Sequence, residues 1–304
     1  MFVNTREAWG AFTLGVFCAL SAWTAQGQIF VAYEGLYNGD GGVAEYSLSG
    51  QTINTRFIYG YDGCYGLTLD EHGNLWVADT LGAGVDKYTT SGTYLGGLPL
   101  ASATTDSPGG LAVDGAGNLF VAYGGSGISQ FTTSGAIVRD PLVSGFPLSG
   151  LTVAGNSLFV ANPITGAIGE YTSSGAPVST SLITGLSAPA GLAYDGSGHL
   201  FVANTGNGTI GKYTTSGETI SASLITGLSG VGSLALDGNG HLFVLNGNTI
   251  GEYTTSGETV NASLITVTGL AGLGQIVVAP EPSSLALAGL GLAMLYLRRR
   301  RTTA

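Results

Sequence analysis

The chain has 304 residues, of which 9% are charged and 44% hydrophobic, and its formal net charge is −10. Between Gln28 and Ala279, four Lys or Arg side chains stand against 17 Asp or Glu side chains, a net charge of −13. Nucleic-acid binding is excluded, because a phosphate backbone needs basic side chains. The 52 glycines could indicate disorder, but regular short hydrophobic runs argue for a folded repeat in one domain.

Residues 1–27 have the features of an export signal peptide. Arg6 supplies a positive charge, an apolar segment follows from Ala8 to Ala22, and Ala25-Gln26-Gly27 is a small-x-small cleavage site. A buried N-terminal helix is the alternative, but the repeats begin directly afterwards. Once this segment is removed, Cys64 is the only cysteine, which excludes an internal disulfide and a cysteine metal site. We predict that Cys64 is a buried or half-buried small apolar residue rather than a nucleophile, because no histidine or cation adjoins it in the sequence.

Residues 28–279 repeat one unit of about 42 residues. Its second apolar run, for example Leu200-Phe201-Val202, occurs six times with spacings of 46, 44, 39, 42 and 42. The closing phrase, for example Tyr213-Thr-Thr-Ser-Gly217, recurs in step with it. The first run, for example Gly191–Asp195, has five complete copies, and the copy missing before Ile29 is found at the other end as Gly274–Ala279.

This pattern predicts an all-β, six-bladed β-propeller of four-stranded antiparallel blades. Each repeat holds four short runs rich in Thr, Val, Ile, Phe and Tyr, with no helical periodicity. In the unit from 191 to 226 the predicted strands are Leu192–Tyr194, Leu200–Ala203, Ile210–Tyr213 and Thr219–Ile225. Such sheets cannot bury both faces alone, so they must pack against one another in a ring. The ring is predicted to close by pairing of residues 274–279 with the N-terminal strands. Short helices are expected only in the N-terminal signal and the C-terminal tail.

The repeat resembles the NHL repeat over about 250 residues. Pro189–Asn204 and Asp70–Asp79 carry the resemblance, although the Asn-x-Arg that commonly follows in that family is absent. The resemblance implies a top face where ligands meet the propeller. A top-face binding ring is therefore predicted at Glu34, Asp79, Tyr123, Asn162, Asn204 and Asn246. The alternative is that an Asp or Asn just after a strand caps a turn with its side-chain oxygen.

No catalytic set can be assembled from the polar residues. His72, His199 and His241 occupy equivalent turns in different blades and cannot share one metal ion. Asp70, Asp114, Asp195 and Asp237 could form a carboxylate ring for Ca²⁺, but the glycine turn after each explains them better. Glu45, Glu170 and Glu252 share one third-strand position and are predicted to form a solvent-facing stripe. No catalytic residue, metal or cofactor is therefore expected, with Ca²⁺ as the alternative.

The C-terminal residues 280–304 have the features of a sorting tail. Pro280-Glu281-Pro282 precedes an apolar run from Leu285 to Leu297 and a basic end. The run is shorter than the roughly 20 residues of a relaxed membrane-spanning helix, and the basic end is expected to stay cytoplasmic. The basic end consists of Arg298, Arg299, Arg300 and Arg301.

Together these features resemble the PEP-CTERM sorting signal. That resemblance implies a Gram-negative bacterium, a passing membrane contact through the tail, and an exosortase-type processing enzyme as partner. A plain C-terminal membrane anchor is the alternative.

These features favour an exported, non-catalytic binding or scaffold propeller of the cell surface or the exopolysaccharide matrix. Its expected partners are polysaccharide or surface proteins. The alternative is a secreted, metal-dependent lyase or lactonase with its site at the channel mouth. A third interpretation is a passive filler made by recent duplication, which the similarity of Tyr213–Thr226 and Tyr253–Thr266 favours.

Overall fold

The computed structural model describes residues 27–35, 39–80, 84–98, 108–125, 127–144 and 150–279. Every regular element in these ranges is a β-strand, so none of them contains a helix long and apolar enough to cross a membrane. The predicted helices, most of the export signal and the sorting tail lie outside the described residues.

The described strands form six four-stranded antiparallel sheets, which confirms the predicted propeller. Blade 1 has the strand order β24-β1-β2-β3, and blades 2 to 6 each use four consecutive strands. Blades 1 and 2 contain β1 (Gln28–Tyr33), β2 (Gly41–Ser47), β3 (Thr52–Tyr61), β4 (Cys64–Leu69), β5 (Asn74–Asp79), β6 (Gly84–Thr89) and β7 (Tyr94–Leu98). Blades 3 and 4 contain β8 (Pro108–Val113), β9 (Asn118–Tyr123), β10 (Gly127–Thr132), β11 (Ile137–Ser144), β12 (Leu151–Ala154), β13 (Ser157–Asn162), β14 (Ala167–Thr172) and β15 (Pro177–Ile183). Blades 5 and 6 contain β16 (Pro189–Tyr194), β17 (His199–Asn204), β18 (Thr209–Thr214), β19 (Thr219–Ile225), β20 (Val231–Leu236), β21 (His241–Asn246), β22 (Thr249–Thr254) and β23 (Thr259–Thr266); β24 (Leu273–Ala279) returns to blade 1.

The repeated Leu-Phe-Val run holds neighbouring blades together because a strand points alternate side chains to opposite faces. In blade 5, Leu200 and Val202 pack with Phe159 of blade 4. Phe201 points the other way and packs with Leu242 of blade 6. These side chains are fully or almost fully buried, and burying each one contributes about 1.5–3 kcal/mol. One short run thus supplies the core on both sides of its blade.

The ring closes through β24, which pairs antiparallel with β1. Ala279 lies opposite Gln28 and Ile276 lies opposite Val31. Ile276 and Val278 are buried in a cluster that also contains Phe243 of blade 6. The two ends of the propeller sequence therefore complete one blade, as the split repeat predicts.

The turns between third and fourth strands are built by the Thr-Thr-Ser-Gly phrase. In blade 5 the backbone N–H of Thr214 donates to the carbonyl of Glu218, and the Thr214 hydroxyl accepts from the N–H of Glu218 at 3.0 Å. Gly217 adopts φ +89°, a left-handed conformation that favours glycine. The Thr-Thr-Ser-Gly motif recurs because its residues supply the hydrogen bonds and the left-handed glycine that the turn needs.

The expected solvent-facing stripe of glutamates is wrong. Glu45 is buried, and Glu170 and Glu252 are half-buried. The register places each of them opposite the central aromatic residue of the second strand, as Glu45 lies opposite Phe30. Opposite residues share a face, and this face packs against the next blade. The glutamates accordingly contact polar neighbours: Gln28 donates to Glu45, and Ser157 donates to Glu170 at 2.7 Å.

Candidate functional site

The predicted ring residues lie on the side of the propeller where the second strand of each blade ends. We call this side the upper face, and the side with the Asp-Gly turns the lower face. Each of the six residues belongs to a different blade, so the ring surrounds the axis rather than forming one cluster. Five of them end a second strand and Glu34 directly follows one, as the strand bounds show.

Two of the three asparagines of the ring bond upper-face loops through their side-chain oxygens. The Asn162 Oδ1 accepts from the backbone N–H groups of Ile164 and Thr165, both at 3.1 Å. The Asn246 Oδ1 accepts from the N–H of Gly230 at 2.8 Å. Asn204 is buried, and its Nδ2 donates to the Thr209 hydroxyl at 3.3 Å, while its Oδ1 has no hydrogen-bond partner among the described residues. Only Asn162 therefore caps its own turn as the turn-capping alternative expects, and the Asn246 oxygen instead bonds the loop before β20.

The other three ring residues have different surroundings. Tyr123 is 3% exposed, and burial, with a contribution from the charge of Asp140, raises its pKa to about 12. Asp79 is half-buried and lies opposite Cys64 in the sheet. Glu34 is exposed, and its backbone N–H donates to the carbonyls of Ala271 and Gly272 at 3.1 and 3.0 Å, which ties the loop after β1 to the approach of β24. The Glu34 carboxylate is thus accessible to a ligand from solvent, whereas the Tyr123 ring is buried.

The innermost strands of the six blades surround a central cavity of about 260 Å³. Its described lining contains no Asp, Glu, His, Lys or Arg. Most of the lining residues are apolar in type, Leu69, Val113 and Leu236 among them, but polar atoms form the larger part of the exposed wall. The polar side chains are those of Thr68, Thr152, Tyr194, Ser233 and Gln275. The cavity can therefore hydrogen-bond a guest but offers it no ionic partner.

Gln275 is the residue of this cavity that sequence reasoning missed. The register places it at the position filled in the other five innermost strands by Gly66, Gly110, Gly150, Gly191 and Ser233. Its Oε1 accepts from the backbone N–H of Leu67 at 2.9 Å. Its Nε2 lies 3.8 Å from the point where a β-carbon on Gly110 would be. The signal was available in the sequence as a single long polar side chain that breaks a run of small residues.

The lower-face aspartates are used by their own turns. The Oδ1 of Asp195 accepts from the N–H groups of Ser197 and His199 at 2.8 and 3.0 Å, and its Oδ2 bonds the His199 ring at 2.7 Å. Burial alone would raise the pKa of Asp195, but these hydrogen bonds lower it to about 2. Asp70, Asp114 and Asp237 accept from the same two backbone positions. None of the four lines the central cavity.

One group of metal-ligand type occurs among the described residues, namely Asp70, Glu71 and His72, whose ligand atoms lie within 4.8 Å of one another. Asp70 already pairs with Lys87 at 2.8 Å and with the Asn74 amide at 3.0 Å. Burial alone would raise the pKa of Asp70, but the bonds from Lys87 and Asn74 lower this pKa overall. The group lies in the lower-face turn of one blade, away from the channel.

Cys64 is buried, as predicted. Burial, followed by the charge of Asp79, raises the pKa of its thiol. Since the thiolate is the reactive form, this environment makes Cys64 a packing residue.

The fold and channel define a six-bladed β-propeller, and solved structures of this shape are found in several functional classes. A chain from a nidogen/laminin complex matches with a TM-score of 0.68 at 13% identity, covering 84% of this chain and 99% of that one. A virginiamycin B lyase from Staphylococcus aureus matches with a TM-score of 0.58 at 19% identity, over 83% and 92% of the two chains. A gluconolactonase from Xanthomonas campestris matches with a TM-score of 0.56 at 18% identity, over 69% and 77%. Identities this low show a shared fold. No curated protein sequence matches the chain.

Residues 278–301 match the PEP-CTERM protein-sorting motif. The chain therefore carries a bacterial signal for export and surface sorting, which implies processing by an exosortase. The match begins within β24, at a residue that is buried where the ring closes.

Proposed function

We propose that this protein is an exported, non-catalytic binding and scaffold propeller of the cell surface or exopolysaccharide matrix of a Gram-negative bacterium. In this proposal residues 1–27 are a signal peptide, 28–279 form the working domain, and 280–304 form a tail that contacts the membrane and is processed outside the cytoplasm. Polysaccharides or neighbouring surface proteins are the partners. The upper-face ring of Glu34, Asp79, Tyr123, Asn162, Asn204 and Asn246 is the candidate contact surface.

The single observation that carries a non-catalytic role is the uncharged lining of the central cavity. General acid–base and nucleophilic catalysis need titratable groups within hydrogen-bond reach of the reacting atoms. The lining supplies hydroxyls, one amide and one phenol, and the four turn aspartates are occupied elsewhere. Binding without chemistry fits this set of groups best.

A metal-dependent lyase or lactonase at the channel mouth is the second candidate. It is favoured by the likeness in fold to the virginiamycin B lyase and the gluconolactonase. A metal site there would draw on upper-face carboxylates, among them Glu34 and Asp79, which belong to adjacent blades, and Asp40 and Asp62 in the loops before β2 and β4. Hard cations such as Ca²⁺ take six to eight oxygen ligands, so a pair such as Glu34 and Asp79 would need several backbone carbonyls as well.

Thermal unfolding with and without divalent metal separates the two candidates. A metal that binds the folded protein stabilises it by mass action and so raises its Tm. At a free metal concentration of 100 times Kd, the free energy of unfolding rises by about 2.7 kcal/mol. We expect the same Tm in EDTA, 1 mM Ca²⁺ and 1 mM Zn²⁺. A metal-dependent rise that Glu34→Gln removes and Glu218→Gln leaves in place would overturn the non-catalytic proposal.

The sorting part of the proposal is tested in cells. Replacement of Pro280, Glu281 and Pro282 by alanine should leave the unprocessed chain in the membrane fraction. Replacement of Ser283 and Ser284 is the matched control and should leave release unchanged. Normal processing of the first variant would contradict the assignment.

A further inference from the structure

The Gln275 side chain lies at the upper end of the central cavity, where neighbouring inner strands are in close contact. Inner strands approach each other so closely at the Gln275 position that a β-carbon on Gly191 would lie 2.2 Å from the carbonyl oxygen of Gly232. A β-carbon on Gly150 would lie 2.0 Å from the carbonyl oxygen of Ala190. The Gln275 side chain reaches across this same level towards Gly110. Since the remaining lining residues follow Gln275 and its equivalents along the strands, the cavity extends from this level towards the lower face.

The cavity wall also carries backbone groups that have no neighbouring strand. The N–H groups of Leu67 and Ile276 point away from the second strands, because they bond the side chains of Gln275 and Ser233 at 2.9 and 3.0 Å. In blade 4, Gly150 is the residue whose carbonyl accepts from β13, so Leu151 next to it presents its N–H and C=O to the channel. A guest would therefore meet both donors and acceptors.

The uncharged but partly polar wall of the cavity determines which class of ligand it can bind. An ion entering the cavity would lose its hydration without gaining a counter-charge, which costs free energy. An apolar guest would offer no hydrogen bond to the Leu151 backbone groups or to the Gln275 Nε2. A hydroxyl-rich neutral molecule both donates and accepts hydrogen bonds, and the C–H face of a sugar ring can pack on Leu69, Val113 and Leu236.

We propose that the cavity binds a single uncharged sugar unit, entering from the lower face, with the Gln275 amide as its specificity-determining contact. Because the Gln275 side chain extends from blade 1 past Leu67 towards Gly110 at the upper end, the proposed site accepts a free sugar or the terminal unit of a neutral polysaccharide rather than an internal unit. This inference rests on the proposed binding function and gives it a ligand class. It uses a site separate from the upper-face ring.

The full chain, kept in a detergent without a sugar headgroup, is tested by saturation-transfer NMR against glucose, galactose, mannose and glucuronate. We expect transfer to at least one of the three neutral hexoses and none to glucuronate. No transfer to any neutral hexose at about 10 mM, roughly ten times a weak Kd of about 1 mM, would overturn the proposal. Equal transfer to glucuronate would also overturn it.

Two channel variants and one control locate the site. Gln275→Ala should weaken binding of the responsive hexose about tenfold, the effect of losing roughly one hydrogen bond. Thr152→Phe, in blade 4 and far from the β24–β1 closure, should abolish binding by filling the cavity. Thr219→Ala on the exposed outer strand of blade 5 should bind as the wild type does. Circular dichroism melts identify a misfolded variant, and Thr152→Phe decides the result if Gln275→Ala does not fold.

Retention on the cell's own matrix polysaccharide separates failure of this site from failure of the proposed function. Retention that survives Thr152→Phe would show that the matrix is held through another surface, such as the upper-face ring, and would overturn the channel as the matrix contact while leaving the binding module standing. Hexose binding without matrix retention would support the channel site and count against the matrix role.

Discussion

Blades 1 and 5 have the same four-stranded design but are assembled differently. Blade 5 is one continuous segment from Pro189 to Ile225, and both of its lower-face turns are short and hydrogen-bonded. Blade 1 takes β1 to β3 from one end of the propeller sequence and β24 from the other. The innermost strand of blade 1 is therefore held to β1 by pairing alone, with no turn between them.

β24 also departs from the repeat at two positions. Ala279 stands where blade 5 has Asp195, because no turn joins β24 to β1 and so none needs the aspartate as an acceptor. Gln275 carries a long side chain into the channel where blade 5 has Gly191, whose β-carbon would lie 2.2 Å from the carbonyl oxygen of Gly232. The missing turn thus accounts for Ala279, in the strand where the match to the sorting motif begins.

The largest expected effect is removal of the closing strand. A chain ending at Gly272 loses Ile276 and Val278 and exposes the edge of β1, at a cost of roughly 5 kcal/mol or more. Since whole domains are stable by about 5–15 kcal/mol, we expect loss of cooperative thermal unfolding by circular dichroism. A chain ending at Ala279 is the matched control and should melt as the full chain does. Equal melting of both truncations would show that the ring does not depend on closure.

Two glycines of blade 5 have similar backbone conformations but different packing, one in a tightly packed upper loop and one in an open lower turn. A β-carbon on Gly208 would lie 1.9 Å from the Leu228 carbonyl oxygen, and its φ is +66°. Gly196 has a similar φ of +76° but no atom within 4 Å of that point. Gly208→Ala should cost about 3 kcal/mol, and Gly196→Ala about 1 kcal/mol from backbone strain alone. Urea unfolding measures both, and similar losses would contradict the close packing of the upper loop.

The sequence predicted the features that depend on local pattern. The strand runs, the turn aspartates and the split blade follow from residues a few positions apart or from their repetition. It did not predict the burial of Glu45. Strand alternation assigns residues to two faces of a blade, but it does not show that a neighbouring blade packs against each face. It did not predict the role of Gln275, whose partner Leu67 is 208 positions away in the chain. The upper-face ring stays a prediction, because the oxygens of Asn162 and Asn246 already accept backbone hydrogen bonds.

The lower turn of blade 5 should stabilise the fold through charge. The pKa of Asp195 is lowered to about 2 from 3.8, so its contribution is present above pH 4 and is lost as the pH falls towards 2. Asp195→Asn keeps an acceptor oxygen but loses the charged bond to His199, and we expect a loss of about 2 kcal/mol at pH 7. The difference between variant and wild type should shrink between pH 4 and pH 2 in urea titrations. Glu218→Gln, an exposed change in the same blade, should have no effect, and a constant difference at all pH values would contradict the charge argument.

Glu45 of blade 1 should show the opposite sign, with the smallest effect. Burial raises the pKa of its carboxyl, and the bond from Gln28 only partly offsets this. Because the pKa of Glu45 is raised in the folded state, its neutral form contributes stability that is fully present below the pKa of the unfolded chain. That contribution is lost as the pH rises through the folded-state pKa. Glu45→Gln removes the cost of a buried charge and keeps a partner for Gln28, so it should raise the Tm at pH 7 and leave it unchanged at pH 4. Glu252→Gln is the matched control in blade 6, where His241 lies 3.8 Å from the carboxylate, and it should not raise the Tm. A lower Tm for Glu45→Gln at pH 7 would mean that the ionised carboxylate is a favourable part of the blade 1 interface.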